Sequence, residues 1–215
     1  MEESLITLAA RATVMLLLVV DPIGVAPIFA ALTQSLNAPE RAAILRRAVM
    51  IAVTVALFFL LAGSFVLARL GVSVDAFAIS GGILLFAAAM PMLFGGRGAL
   101  QAPEKSEGGA PDASDIAVFP LAIPLLSGPG TITTIILLSH QPSAGLAQLM
   151  VLVAVIAAVF LLSWFVLSFG ERLIAQLGKG KIHIITRVLG IVLAALAVQY
   201  VLNGVRGFYH SLAPS

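Results

Sequence analysis

Asp21 is the only acid in the apolar run from Leu5 to Leu36, and Pro22 and Gly24 follow it closely. A carboxylate inside such a run is costly in lipid, so a role for it is expected. A second interruption, Ser127-Gly128-Pro129-Gly130, lies near the middle of the apolar window from 115 to 139 and leads into Thr131, Thr133 and Thr134. Asp21 and Ser127 have the chemistry of helix N-caps, each with a proline near the first position of a new helical segment whose first amides lack acceptors. A helix start carries roughly half a positive charge. Two such starts meeting within a membrane would hold a carboxylate or another anionic group, leaving Asp21 to meet an ammonium group or exchange a proton. Gln199 and Asn203, four apart on one helical face, could orient a zwitterion through their amides. The candidate substrate site is thus Asp21, Pro22, Gly24, Ser127, Gly128, Pro129, Gly130, Thr131, Thr134, Gln199 and Asn203, with Asp21 also the candidate for proton coupling.

Each of these residues has a structural reading beside the functional one. Asp21 could serve only as the cap of the helix behind it. The threonines and Ser127 could return hydrogen bonds to their own helix. Pro27 and Pro124 read as ordinary kinks, and Gln199 and Asn203 could be interhelical glue. Ser80-Gly81-Gly82 and Arg187-Val188-Leu189-Gly190 stand at related places early in two later helices, where glycine permits close crossing. Arg187 falls near a membrane edge and is expected to snorkel, as a gate or anchor. His140, His183 and His210 sit at the ends of apolar windows without metal-ligand spacing, and no cofactor is implied.

The elements that must carry these residues are membrane helices. Hydrophobic residues make up 60% of the 215, charged residues 10%, and the mean hydropathy is +1.12; that is a polytopic membrane protein. Six windows can span: 5 to 35, 44 to 69, 75 to 95, 115 to 139, 146 to 170 and 183 to 208. Strand alternation is absent, so the expected fold is all-α. The acidic start Met1-Glu2-Glu3 does not fit a cleavable signal peptide.

Nine of the twelve basic residues flank the same side under this six-span reading: Arg41, Arg46, Arg47, Arg97, Lys105, Arg172, Lys179, Lys181 and Arg187. Arg11, Arg69 and Arg206 fall on the other. The asymmetry assigns both termini to the non-cytoplasmic face. A basic cluster at a membrane edge is a topology signal, and nothing here points to nucleic acid. With no cysteine, thiol catalysis and disulfides are excluded. A lone intramembrane acid, without a second acid or a positioned histidine, does not make the usual enzyme sites.

The polar stretch from Gly95 to Ser114 reads as a flexible cytoplasmic linker, at 96 to 114, between residues 1 to 95 and 115 to 215. At an offset of 107 or 108, Pro22 pairs with Pro129, Gly63 with Gly170, Leu70-Gly71 with Leu177-Gly178, Gly82 with Gly190 and Gly96 with Gly204. Three spans in each half then imply two inverted-topology repeats, with the first and fourth helices interrupted near the membrane midplane.

The segments DPIGVAPIF at 21 to 29, FPLAIPLLSGPGTI at 119 to 132, GKGKIHIITRVLG at 178 to 190 and VQYVLNG at 198 to 204 resemble the MarC family of bacterial inner-membrane proteins over essentially the whole chain. Many relatives have asparagine where this chain has Val25. The resemblance implies a six-helix protein akin to the LysE-type transporter group, in which neutral amino-acid transport is attributed to some members. The expected function is therefore a secondary transporter of small neutral amino acids such as glycine or alanine. It would work by alternating access in a bacterial inner membrane, possible homo-oligomers included. A channel, a flippase for a lipid-linked substrate and a membrane subunit without transport of its own are the competing readings.

Overall fold

The computed structural model describes residues 4–94, 116–140 and 145–212; within the last segment the side chains of 171–177 and 179 lie outside the description. The linker expected at 96 to 114 lies outside the described residues. Among the described residues the chain is all-helical. The helices are α1 (Leu5–Val20), α2 (Pro22–Leu32), α3 (Ala38–Arg69), α4 (Val74–Phe94), a loosely wound π-type segment α5 (Ala117–Leu126), α6 (Pro129–Ser139), α7 (Leu146–Ser168) and α8 (Gly170–Leu212).

Local chemistry sets the ends. Ser4 caps α1 by accepting the Thr7 amide at 3.2 Å. Asn37 and Glu40 form a reciprocal capping box that starts α3 at Ala38. The second span was expected from residue 44, after a basic loop; the capping box instead takes Arg41, Arg46 and Arg47 into the first turns of α3. Arg41 Nε donates to the Thr33 carbonyl at 2.8 Å and so ties the end of α2 to the start of α3. Gly71, with φ 69°, closes α3: its amide and that of Val72 return to the carbonyls of Ala68 and Leu67. Gly178 has φ 75° and interrupts α8, leaving a membrane-length stretch from Gly180 to Ser211.

By length and composition, Leu5–Leu32, Ala38–Arg69, Val74–Phe94, Leu146–Ser168 and Gly180–Ser211 can each cross a membrane. A sixth crossing is available if α5 and α6, which meet at 50°, count as one span. Large apolar side chains such as Phe58, Leu61, Phe65, Ile83 and Leu161 point outward, as expected of a surface solvated by lipid.

Small residues allow the helices to approach closely. A Cβ at Gly82 would lie 2.6 Å from the Ala197 carbonyl, one at Gly204 2.5 Å from the Asp75 carbonyl, and one at Gly190 2.9 Å from Met92 Cβ. These contacts run in opposite order along the two helices, so α4 and α8 are antiparallel. Around this pair, α3 packs on α5, α6 and α7, while α7 packs on α1, α2 and α3; α6 meets α4 and α2 meets α8. The main core is built from α1, α2, α3, α5, α6 and α7, including Leu16, Ala52, Leu126, Ile156 and Phe160.

Candidate functional site

Asp21 joins two helices through one residue. Its backbone is left-handed, φ 43° and ψ 63°, a region that aspartate tolerates better than most side chains. Its amide still donates to the Leu17 carbonyl at 3.0 Å, and its own carbonyl accepts from the Val25 amide at 3.0 Å. Pro22 occupies the first turn of α2, where no amide is needed. The carboxylate then turns back and accepts from the Gly24 amide at 3.1 Å. Gly24 leaves room for it, because a Cβ there would run into the carboxylate. The residue is half-buried, so the cap does not seal the carboxylate from its surroundings.

The second break is built differently. Gly128 is the N-cap of α6, and no side chain caps that helix. The expected capping role of Ser127 is therefore corrected: with Pro129 at the helix start the cap position falls on Gly128, and the buried Ser127 hydroxyl donates to the Ala52 carbonyl of α3 at 2.8 Å. Gly128, Gly130 and Thr131 are buried as well. The first amides of α6 thus emerge from a proline and glycine start, inside the protein, with no side-chain cap.

The hydroxyls behind this start are mostly occupied. Thr131 Oγ1 donates to the Leu126 carbonyl at 3.2 Å. Thr134 Oγ1 donates to the Gly130 carbonyl at 2.8 Å and lies 2.8 Å from Tyr200 Oη. Since a hydroxyl has one proton, the order is Tyr200 to Thr134 to Gly130. Thr133 is different: its buried hydroxyl has no hydrogen-bond partner and faces Gly81 of α4. Sequence reasoning missed Tyr200, which lies 66 residues from Thr134 and meets it only in the folded chain.

The two breaks are neighbours. A Cβ at Gly130 would stand 3.0 Å from Val19 Cγ1 and 2.5 Å from Leu85 Cδ1, so the start of α6 lies against the end of α1, two residues before Asp21. Pro22, Gly24, Gly128, Pro129 and Gly130 lie at this junction. Gln199 and Asn203 do not join it. Both are exposed on α8 and bonded to each other at 2.8 Å, while Tyr200 is buried. Of these three neighbouring α8 residues, only Tyr200 has a hydrogen bond to α6, through Thr134. Arg187 is exposed, three residues before Gly190, and lies apart from the breaks. An open groove of about 550 Å³ along α3, lined by Arg46, Arg47 and Thr54 among others, contains none of the predicted site residues.

The sequence model described as "MarC family integral membrane protein" matches residues 6–209, nearly the whole chain and both breaks. The chain belongs to the MarC family. Among its relatives, a UPF0056 membrane protein of Pyrococcus abyssi is 34% identical over 191 residues, covering 89% of this chain and 90% of its own. The UPF0056 inner membrane protein YhgN of Escherichia coli is 34% identical over 199 residues, 91% of this chain and 94% of its own. The UPF0056 membrane protein YvbG of Bacillus subtilis is 33% identical over 190 residues, 88% and 90% respectively. No solved structure matches. This MarC family member is an integral membrane protein, and its paired helix breaks are its most distinctive local chemistry.

Proposed function

We propose that this MarC family protein is a secondary transporter of small neutral amino acids, of glycine or alanine size, and performs no chemistry on its cargo. The observation that carries the reading is the buried, uncapped start of α6 beside the Asp21 break. Unpaired amides at a helix start attract a carboxylate. The half-buried Asp21 carboxylate nearby offers a partner for the ammonium group or an exchangeable proton.

Alternating access needs two halves that can rock against one another. Residues 1 to 95 and 115 to 215 are read as inverted three-span repeats joined by the linker at 96 to 114, with α5 and α6 counted as one span. The reciprocal packing supports this. Gly63 of the first half packs on Ile136 of α6, and its counterpart Gly170 packs on Ala26 of α2. The paired Gly71 and Gly178 both have positive φ, and α4 and its counterpart α8 run antiparallel. On this plan both termini lie outside the cytoplasm, and the name of the Escherichia coli relative supports a bacterial inner membrane.

Reconstituted vesicles loaded with unlabelled glycine or alanine and given the labelled amino acid outside test the function. Saturable exchange is expected, and Asp21→Asn is expected to make its rate insensitive to pH if Asp21 carries the coupling proton. Absence of exchange with protein in either orientation rejects the transporter reading; unchanged pH dependence in Asp21→Asn rejects the coupling role alone.

A further inference from the structure

The exposed amides of α8 lie at a depth where lipid cannot satisfy them. Gly190 packs against Met92 and Leu93 near one end of α4, and Gly207 packs against the Asp75 side chain near the other. Gln199 is nine residues from the first and eight from the second, roughly 12–14 Å along the helix in each direction. It therefore sits at mid-depth of the α4 and α8 pair, facing outward. Its Nε2 donates to Asn203 Oδ1. That internal bond leaves the Gln199 carbonyl oxygen and the remaining amide protons of both side chains without a partner on α8, and hydrocarbon offers none.

The surrounding residues have the spacing of a helix seam. Val192, Ala195, Gln199, Leu202 and Arg206 follow one another at steps of three, four, three and four, and all five are exposed. That is the heptad period that lets two helices pack along their length, with one polar residue among apolar ones fixing register. Ala195 permits close approach next to the amide.

We infer that this face of α8 is the contact between two copies of the chain, related by a twofold axis along the membrane normal, with the Gln199 and Asn203 amides bonding across it. A second copy fits where other occupants do not. Two copies inserted the same way present parallel α8 helices at equal depth, so each amide pair meets an identical pair that has both donors and acceptors. Lipid tails have neither. Arg206, near the membrane edge, can turn its guanidinium outward to the headgroups and keep only its stem in the seam. This inference does not depend on what the protein transports.

The chain has no cysteine, so single cysteines report the contact cleanly. In native membranes treated with copper phenanthroline as oxidant, Ala195→Cys and Leu202→Cys are expected to form disulfide-linked dimers at least tenfold more efficiently than Ile83→Cys, an exposed position on α4. Single-molecule counting of the full chain at low density in vesicles is expected to show dimers whose dissociation constant rises roughly threefold to twentyfold with Gln199→Leu. That substitution removes an exposed polar group and is expected to leave folding intact; retained thermal stability checks this. Monomers throughout, cross-linking through Ile83→Cys equal to the α8 positions, or an unchanged constant in Gln199→Leu would overturn the inference.

Discussion

The carboxylate of Asp21 accepts the amide of Gly24 at 3.1 Å, so the start of α2 is met by a side chain of its own, whereas the start of α6 has only Gly128 at the cap position. Two breaks at matching places in the sequence are thus chemically unequal. The first has its own acceptor, and the second is open to one supplied from outside.

The Asp21 cap has two separable costs when altered. Asp21→Gly loses the carboxylate but suits the left-handed backbone, whereas Asp21→Ala loses the cap and strains the backbone. Thermal unfolding in detergent should rank alanine about 1–2 kcal/mol below glycine. Gly24→Ala should also destabilise, by about 1 kcal/mol or more, because its Cβ displaces the carboxylate. In an Asp21→Gly background the same change should become neutral or favourable, since alanine is the better helix former. A Gly24→Ala effect that is the same in both backgrounds would contradict this arrangement.

Ser127 anchors α5 and α6 to α3 and does not cap α6. Ser127→Ala should lower stability by about 1 kcal/mol while leaving the apparent affinity for glycine in exchange assays unchanged. A selective loss of affinity at full stability would return Ser127 to the binding site.

The α4 and α8 pair depends on Gly82. Gly82→Leu places side-chain atoms against the Ala197 carbonyl, which belongs to helix backbone and cannot swing away. A loss of about 3 kcal/mol or more is expected in unfolding measurements. Gly180, which has nothing within 4 Å of its added Cβ, is the control. Gly180→Ala should be neutral or stabilise by up to about 1 kcal/mol.

Tyr200 and Thr134 act as a unit. Tyr200→Phe and Thr134→Val should each cost about 0.6–1.7 kcal/mol, the range for hydrogen bonds between membrane helices. The double variant should cost less than the sum, because either change removes the same bond. Strict additivity in unfolding would deny the coupling.

Much of this junction could be read from residue order, and some could not. Asp-Pro followed by glycine announced a cap because proline is favoured in the first turn and aspartate accepts an amide there. The same rule, followed strictly, puts the second cap on Gly128; weight given to the Ser127 hydroxyl obscured it. The long range was harder. Gln199 and Asn203 share a face by spacing, but α8 is apolar nearly all round, so periodicity does not say which face turns inward. Only contact with α4 and α6 shows that Tyr200 does. The early start of α3 at Ala38 was legible in Asn37 and Glu40, although hydropathy alone begins the span later.

The most direct test of the central claim, that the open start of α6 receives an amino-acid carboxylate, is counterflow of labelled glycine in vesicles containing the full chain. Unlabelled alanine should compete, because it keeps the carboxylate and the ammonium group. Glycine amide, which keeps only the ammonium group, should compete at least tenfold less well. Equal competition by glycine amide, or no counterflow at all, would contradict the claim.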